Sequence, residues 1–285
     1  MDSPSSLLQP LRSILSEVGA FQLAEWRTRP YALAQDKSWA REKAAKDLVT
    51  FVDLESERRL ASALAALLPG SAFYGEEGEQ SLGDFTWVVD PLDGTTNYVA
   101  GLDWFCISVA LFERTGSGAQ RPVLGLVHRS ATKEWHWAVR GEGAWTEGPG
   151  SSPARRLEAA RPRALRDSLV CTGTPYRSPD TAAAFYGAAA AVSAAALDIR
   201  RLCSAALDLC SVAEGRFQAF WEVDLKPYDL GAALLLLEES GCPYSAISGR
   251  PFDPFSSRGF VTGAPGAAEE LRSLIAPFYA AALAD

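Results

Sequence analysis

The segment Trp87-Val88-Val89-Asp90-Pro91-Leu92-Asp93-Gly94-Thr95-Thr96-Asn97 constrains this chain more than any other. A run of β-formers leads straight into an acidic turn. Pro91 lacks a backbone donor, so the ladder is expected to end there, and Gly94 permits a tight turn into a short helix. Asp90 and Asp93 are then brought to the carboxyl end of a strand. Two further apolar runs finish in acid: residues 71–74 lead into Gly75-Glu76-Glu77, and residues 217–222 end on Glu222. Asp229 follows Pro227 in the first turn of a helix, where ordinary capping also favours an acidic side chain.

Around these segments the periodicity predicts a mixed α/β protein. Leu7, Leu11, Ile14, Leu15 and Val18 recur at helical spacing, giving a first helix to about Trp26. Residues 35–46 carry Lys37, Arg41, Lys43 and Lys46 without a clean period and read as a loop. A second helix spans 52–68, stopped by Pro69-Gly70. Short strands are expected at 71–74, 85–89, 105–112, 123–128 and 134–139. The second half alternates: strand 168–172, an alanine-rich helix from Thr181 to Leu197, strand 198–202, helix 204–214 and strand 217–222. Helix 228–240, strand 259–262 and a terminal helix over 267–276 complete it. Gly215 and Gly241 stand where left-handed helix caps are wanted. With 285 residues, 48% of them hydrophobic, the chain is expected to form one domain, with a turn between two lobes near 148–153.

A net charge of −8 argues against nucleic acid and anionic membranes as partners, since both select basic surfaces. The alanine-rich stretch is too short and too weakly apolar to span a bilayer. The five cysteines are odd in number and lack a Cys-x-x-Cys pair, and the start has no secretory pattern, so a reducing cytoplasm is expected.

If the carboxylates converge, like charges about 4 Å apart repel by about 4 kcal/mol per pair at an effective dielectric of about 20, and cations or raised pKa values must compensate. A donor set made only of oxygen points to a hard ion such as magnesium. His128 and His136 lie in strands apart from the acidic motifs, which leaves no zinc spacing and no imidazole base for a Ser-His-Asp mechanism. Metal ions with carboxylates are a sufficient kit for hydrolysing a phosphate monoester, because paired ions stabilise attacking and leaving oxygens together.

Three separated motifs resemble the inositol monophosphatase family of lithium-sensitive, metal-dependent phosphatases. They are Gly75-Glu76-Glu77, residues 90–97, and Lys226-Pro227-Tyr228-Asp229-Leu230-Gly231-Ala232-Ala233, with looser matches at 47–50, 204–208 and 249–252 in the same order. The resemblance covers nearly the whole chain. It implies a layered αβαβα sandwich, a homodimer, and two or three Mg2+ ions (Mn2+ as a substitute) held by Glu76, Asp90, Asp93, Asp229 and the backbone carbonyl of Leu92. It implies that Thr95, paired with Asp47, orients and deprotonates the attacking water, with Glu76 helping to hold that water. Leu92, Asp93, Gly94, Thr95 and Asp229 border the phosphate in such a site. Ser204, Ala205 and Glu222 resemble the residues that take sugar or inositol hydroxyls. Tyr228 stands where tryptophan is usual, and Cys203 where glycine is common.

The expected activity is hydrolysis of a small phosphorylated polyol or sugar, foremost inositol 1-phosphate, and Thr96 favours that branch over relatives with a basic residue there. The alternatives are a phosphatase acting on fructose bisphosphate, histidinol phosphate or a 3'-phosphonucleotide, or a regulatory binding partner of the transcription machinery.

Overall fold

A computed structural model describes residues 3–28, 40–44, 47–148, 153–158 and 161–283. Its elements are α1 (Leu8–Thr28), β1 (Ala40–Ala44), β2 (Asp47–Thr50), α2 (Phe51–Leu67), β3 (Ala72–Gly75), β4 (Phe85–Asp93), α3 (Thr95–Ala100), β5 (Cys106–Arg114), β6 (Gln120–Arg129), β7 (Glu134–Val139), β8 (Gly143–Glu147) and β9 (Arg155–Arg156). There follow β10 (Leu169–Thr172), α4 (Ala182–Ala195), β11 (Asp198–Arg200), α5 (Ala205–Ala213), β12 (Ala219–Val223), α6 (Pro227–Glu239), β13 (Tyr244–Ala246), β14 (Gly259–Gly263) and α7 (Ala267–Tyr279).

Among the described residues the strands form a seven-stranded sheet, β3-β4-β5-β6-β7-β8-β9, a five-stranded sheet, β11-β10-β12-β14-β13, and a β1-β2 ribbon. Each sheet buries both faces, so the helices fall into three layers. Leu11, Leu15 and Val18 of α1 and Leu60 and Leu64 of α2 pack on Trp87, Val89, Val109 and Leu126 on one face of the larger sheet. Its other face, with Val88, Ala110 and Phe112, meets α5 and α6, which are covered from the far side by Phe220 and Phe260. Phe185, Val192, Leu271 and Ile275 of α4 and α7 cover the outer face of the smaller sheet around Trp221 and Val261. The result is the expected αβαβα sandwich. Helix α6 is the most enclosed element, with every residue from Pro227 to Leu237 buried, which explains why it reads as an almost continuous apolar run.

Three expectations are corrected. Residues 40–44 form β1, antiparallel to β2, where a loop was expected; paired backbone outweighs the absence of a pattern in a charged strand. The remainder of 35–46, and 149–152 of the proposed inter-lobe turn, lie outside the described residues. Strand β4 does not stop at Pro91. It continues to Asp93 across a register irregularity, with Asp90 opposite Ser108 and Asp93 opposite Cys106. A bulge is one of the few places where a sheet tolerates proline. Strands β2, β8, β9 and β13 add to those expected; β9 and β13 are two- and three-residue edges that leave little pattern to read.

Candidate active site

The β4 bulge decides where the acidic side chains point. Side chains alternate faces along a strand, so residues three apart normally point in opposite directions. Between Asp90 and Asp93 three steps on β4 face two on β5, and the extra residue returns both aspartates to the face that carries Val88 and meets the middle helices. Helices α5 and α6 bring their N-termini to this place. Asp93 Oδ2 accepts from Ser204 Oγ at 2.6 Å and from the Ala206 amide at 2.8 Å at the start of α5. Asp229, in the first turn of α6, accepts from the Lys226 amide at 2.6 Å. Its expected capping role is therefore real, and it faces the cleft as well.

Glu76, Asp90, Leu92, Asp93, Gly94, Thr95, Ser204, Ala205, Glu222 and Asp229 all line one cleft of about 410 Å3, together with Asp208, Gly173, Tyr176, Arg177, Arg201 and Cys203. Gly94 has φ of +92°, and a Cβ there would stand 2.8 Å from the Trp104 carbonyl, so the turn from β4 into α3 requires glycine. The loop carrying Glu76 is held from below by Glu57 of α2, which accepts from the Glu77 amide at 2.8 Å.

Carboxylates outnumber the cations in the cleft, and Arg177 offsets only part of their charge. Burial, then repulsion from Glu76, Asp93 and Asp229, holds the Asp90 carboxyl well above the usual range. Burial likewise lifts Asp93 to about 7, against the hydrogen bonds from Ser204 and Ala206 that favour its ionised form. Asp208 is raised to about 7 by burial, while Cys171 and Trp104 bond it. Glu222 is pushed well above its ordinary value by desolvation and then by Asp229 and Asp208. Four carboxylates and the Leu92 carbonyl form an all-oxygen set whose chemistry fits a hard divalent cation, and the repulsion among them is what such a cation relieves. As the side chains lie, no group of three His, Cys, Asp or Glu among the described residues is poised around one point. A guanidinium takes part of that place: Arg177 Nη1 lies 2.9 Å from Asp229 Oδ2, and Nη2 lies 3.8 Å from Glu76 Oε1.

Thr95 has a different carboxylate partner from the one expected. Its hydroxyl lies 2.8 Å from Asp53 Oδ1 and 3.1 Å from the Leu92 carbonyl, so the carboxylate it donates to is Asp53, where Asp47 was expected. Asp47 opens β2; its side chain lies outside the described residues. Asp53 is fully buried and also closes a capping box, taking the Thr50 amide at 2.8 Å and the Thr50 hydroxyl at 2.5 Å. Burial raises its pKa to about 6 despite those donors. The Thr50-x-x-Asp53 spacing is the signal that could have found it.

Glu222 closes the opposite wall, and a Cβ on Gly173 would collide with its carboxylate. Cys203 has φ of +66°, a left-handed backbone that explains why glycine suits its position, and its sulfur meets Arg201 Nη1. The two histidines stand apart, His128 stacked on Trp135 and His136 bonded to Glu214.

A layered sandwich with an acidic cleft at the meeting point of a bulged strand and two helix N-termini defines a phosphoric monoester hydrolase. Residues 6–278 match the model of the inositol monophosphatase family. The chain is 38% identical to an inositol-1-monophosphatase of Rhizobium meliloti over 82% of its length and 84% of that protein's. It is 37% identical to the Nus factor SuhB of Pseudomonas aeruginosa over 73% of its length and 75% of that protein's. Among solved structures, an IMPase of Thermotoga maritima superposes with a TM-score of 0.82 at 26% identity, covering 97% of this chain and 99% of the other. The chain belongs to the inositol monophosphatase family.

Proposed function

We propose that the protein hydrolyses a small polyol phosphate, foremost inositol 1-phosphate, with magnesium held by Glu76, Asp90, Asp93, Asp229 and the Leu92 carbonyl. The observation that carries this reading is the gathering of those groups, Thr95 and Glu222 in one cleft. Bound magnesium would polarise the phosphate and lower the pKa of the attacking water.

The protein's own residues supply the rest. Thr95, by donating to Asp53, keeps its oxygen lone pairs available to a water in the cleft. As that water attacks phosphorus, its proton passes to the Thr95 oxygen while the threonine proton passes to Asp53. A base with pKa of about 6 suits such transfer near neutral pH. Glu76 orients the water from the facing loop. The amides at the start of α3, which lines the cleft through Thr95 and Thr96, are the donors we assign to the phosphate oxygens. Glu222, with Ser204 and Ala205 elsewhere in the same cleft, takes hydroxyls of the polyol. The alcohol oxygen leaves with the bonding pair and takes a proton from solvent.

Phosphate release measured across a panel of inositol, fructose, histidinol and nucleotide phosphates tests the substrate. Fastest turnover on inositol 1-phosphate supports the reading, and a preference for another member of the panel replaces it. The likeness to a Nus factor supports a second reading, in which the chain also binds transcription proteins. Co-purification of RNA polymerase subunits with the tagged protein tests it separately from turnover.

A further inference from the structure

The molecule outside the cleft offers an arginine-lined groove at Arg155, Arg161 and Arg163 and a pocket beside α7, but the group with the most developed chemistry is Arg177. It comes from the irregular segment between β10 and α4, with its guanidinium 5.2 Å from the centre of the Tyr176 ring. From there it reaches into the carboxylate set, 2.9 Å from Asp229 and 3.8 Å from Glu76. All three side chains are largely shielded, with 22% of Arg177, 6% of Asp229 and 7% of Glu76 exposed.

We infer that Arg177 competes with a divalent ion for the cleft's carboxylates: its guanidinium pairs with Asp229 beside Glu76, and an ion that takes Asp229 must break that pair, so Arg177 sets the ion's affinity. The inference rests on the proposal that these carboxylates hold metal. Asp229 Oδ2 already accepts from the Lys226 amide, so Arg177 shares that oxygen with a fixed backbone donor. A divalent ion that draws on Asp229 has to break its pair with the guanidinium. Arginine suits the task because it stays charged at every working pH, and its unbranched stem lets the head leave without moving the backbone.

Its counterpart is Arg201, which lines the same cleft but bonds Thr174 Oγ1 at 3.1 Å and Cys203, and forms no ion pair with a carboxylate among the described residues. Removing either arginine takes one positive charge from the cleft. Only Arg177 competes for the carboxylates.

Isothermal titration of Mg2+ into metal-free wild-type protein, Arg177→Gln and Arg201→Gln, without substrate, separates the two effects. A hydrogen bond between charged groups is of the size that shifts an equilibrium by roughly ten- to a hundredfold. Arg177→Gln is expected to bind its weakest Mg2+ tighter by that factor, with Arg201→Gln within about threefold of wild type. In chelator, Arg177→Gln is expected to melt below wild type, and with saturating Mg2+ the two are expected to melt together. Unchanged or weaker Mg2+ binding in Arg177→Gln overturns the inference, as does equal tightening in both variants. A wild-type protein that takes up no Mg2+ overturns the metal reading itself and this inference with it.

Discussion

Asp53 carries a test of the proposed relay, because the burial that would suit it to act as a base also costs stability. Its carboxyl is fully buried, and burial lifts its pKa from 3.8 to about 6. A folded-state pKa above the unfolded one means that the native state favours the protonated acid. The associated stability is complete below about pH 4 and is lost as pH rises through about 6. A shift of about two units corresponds to about 3 kcal/mol. Asp53→Asn removes that cost at pH 7.5 but turns one acceptor into a donor opposite Thr50 or Thr95, which costs about 1–2 kcal/mol. The variant should therefore be about 1–2 kcal/mol more stable than wild type at pH 7.5, roughly 2–4 °C in Tm. At pH 5 the advantage should vanish. Turnover should fall by about 10²- to 10⁴-fold, because an amide cannot receive the proton relayed through Thr95. Thermal melts in chelator at the two pH values, with phosphate release at pH 7.5, measure both. An active Asp53→Asn, or one destabilised equally at both pH values, refutes the reasoning. Asp47→Asn is the control and should keep turnover within about twofold, since the Thr95 hydrogen bond runs to Asp53.

Three further outcomes follow from the cleft walls. Glu222→Gln should weaken use of inositol phosphate by roughly ten- to a hundredfold while leaving an aryl phosphate without hydroxyls nearly unchanged, because bonds from hydroxyls to a charged acceptor contribute about 1.5–3 kcal/mol; equal losses on both substrates would assign Glu222 to the catalytic apparatus. Gly173→Ala should reproduce that selective loss without replacing an acidic residue, since its methyl collides with the Glu222 carboxylate; unchanged kcat/KM on the polyol substrate would show that the wall yields. Lithium at millimolar concentration should inhibit turnover by occupying a magnesium position without its charge, and full activity in lithium would count against a lithium-accessible ion in the cleft.

What the sequence made legible is what depends on local pattern. The β4 run into Asp90 and Asp93, the Glu76 turn and the first turn of α6 announced themselves because each couples an apolar period to an acidic stop. All the acidic residues named from it as metal ligands line the cleft, and so does Glu222. The choice between Asp47 and Asp53 was not legible in the same way. The two flank residues 48–52; the capping spacing marks Asp53 as a buried acid, and the packing of α2 against β4 brings it to Thr95. The bulge was hidden because Pro91 reads equally as a strand end. Arg177 was hidden because it rides on a segment without period, and no local signal links residue 177 to residues 76 and 229. Cys203 was legible as an anomaly, and its positive φ supplies the cause.

The central claim, that the gathered carboxylates hold catalytic magnesium, is tested most directly by phosphate release from inositol 1-phosphate as Mg2+ is titrated into metal-free protein, wild type beside Asp93→Asn. Wild type should rise from no turnover in chelator to a plateau, and folded Asp93→Asn should stay near zero across the titration. Full wild-type turnover in excess chelator, or an Asp93→Asn curve that overlays wild type, would contradict the account.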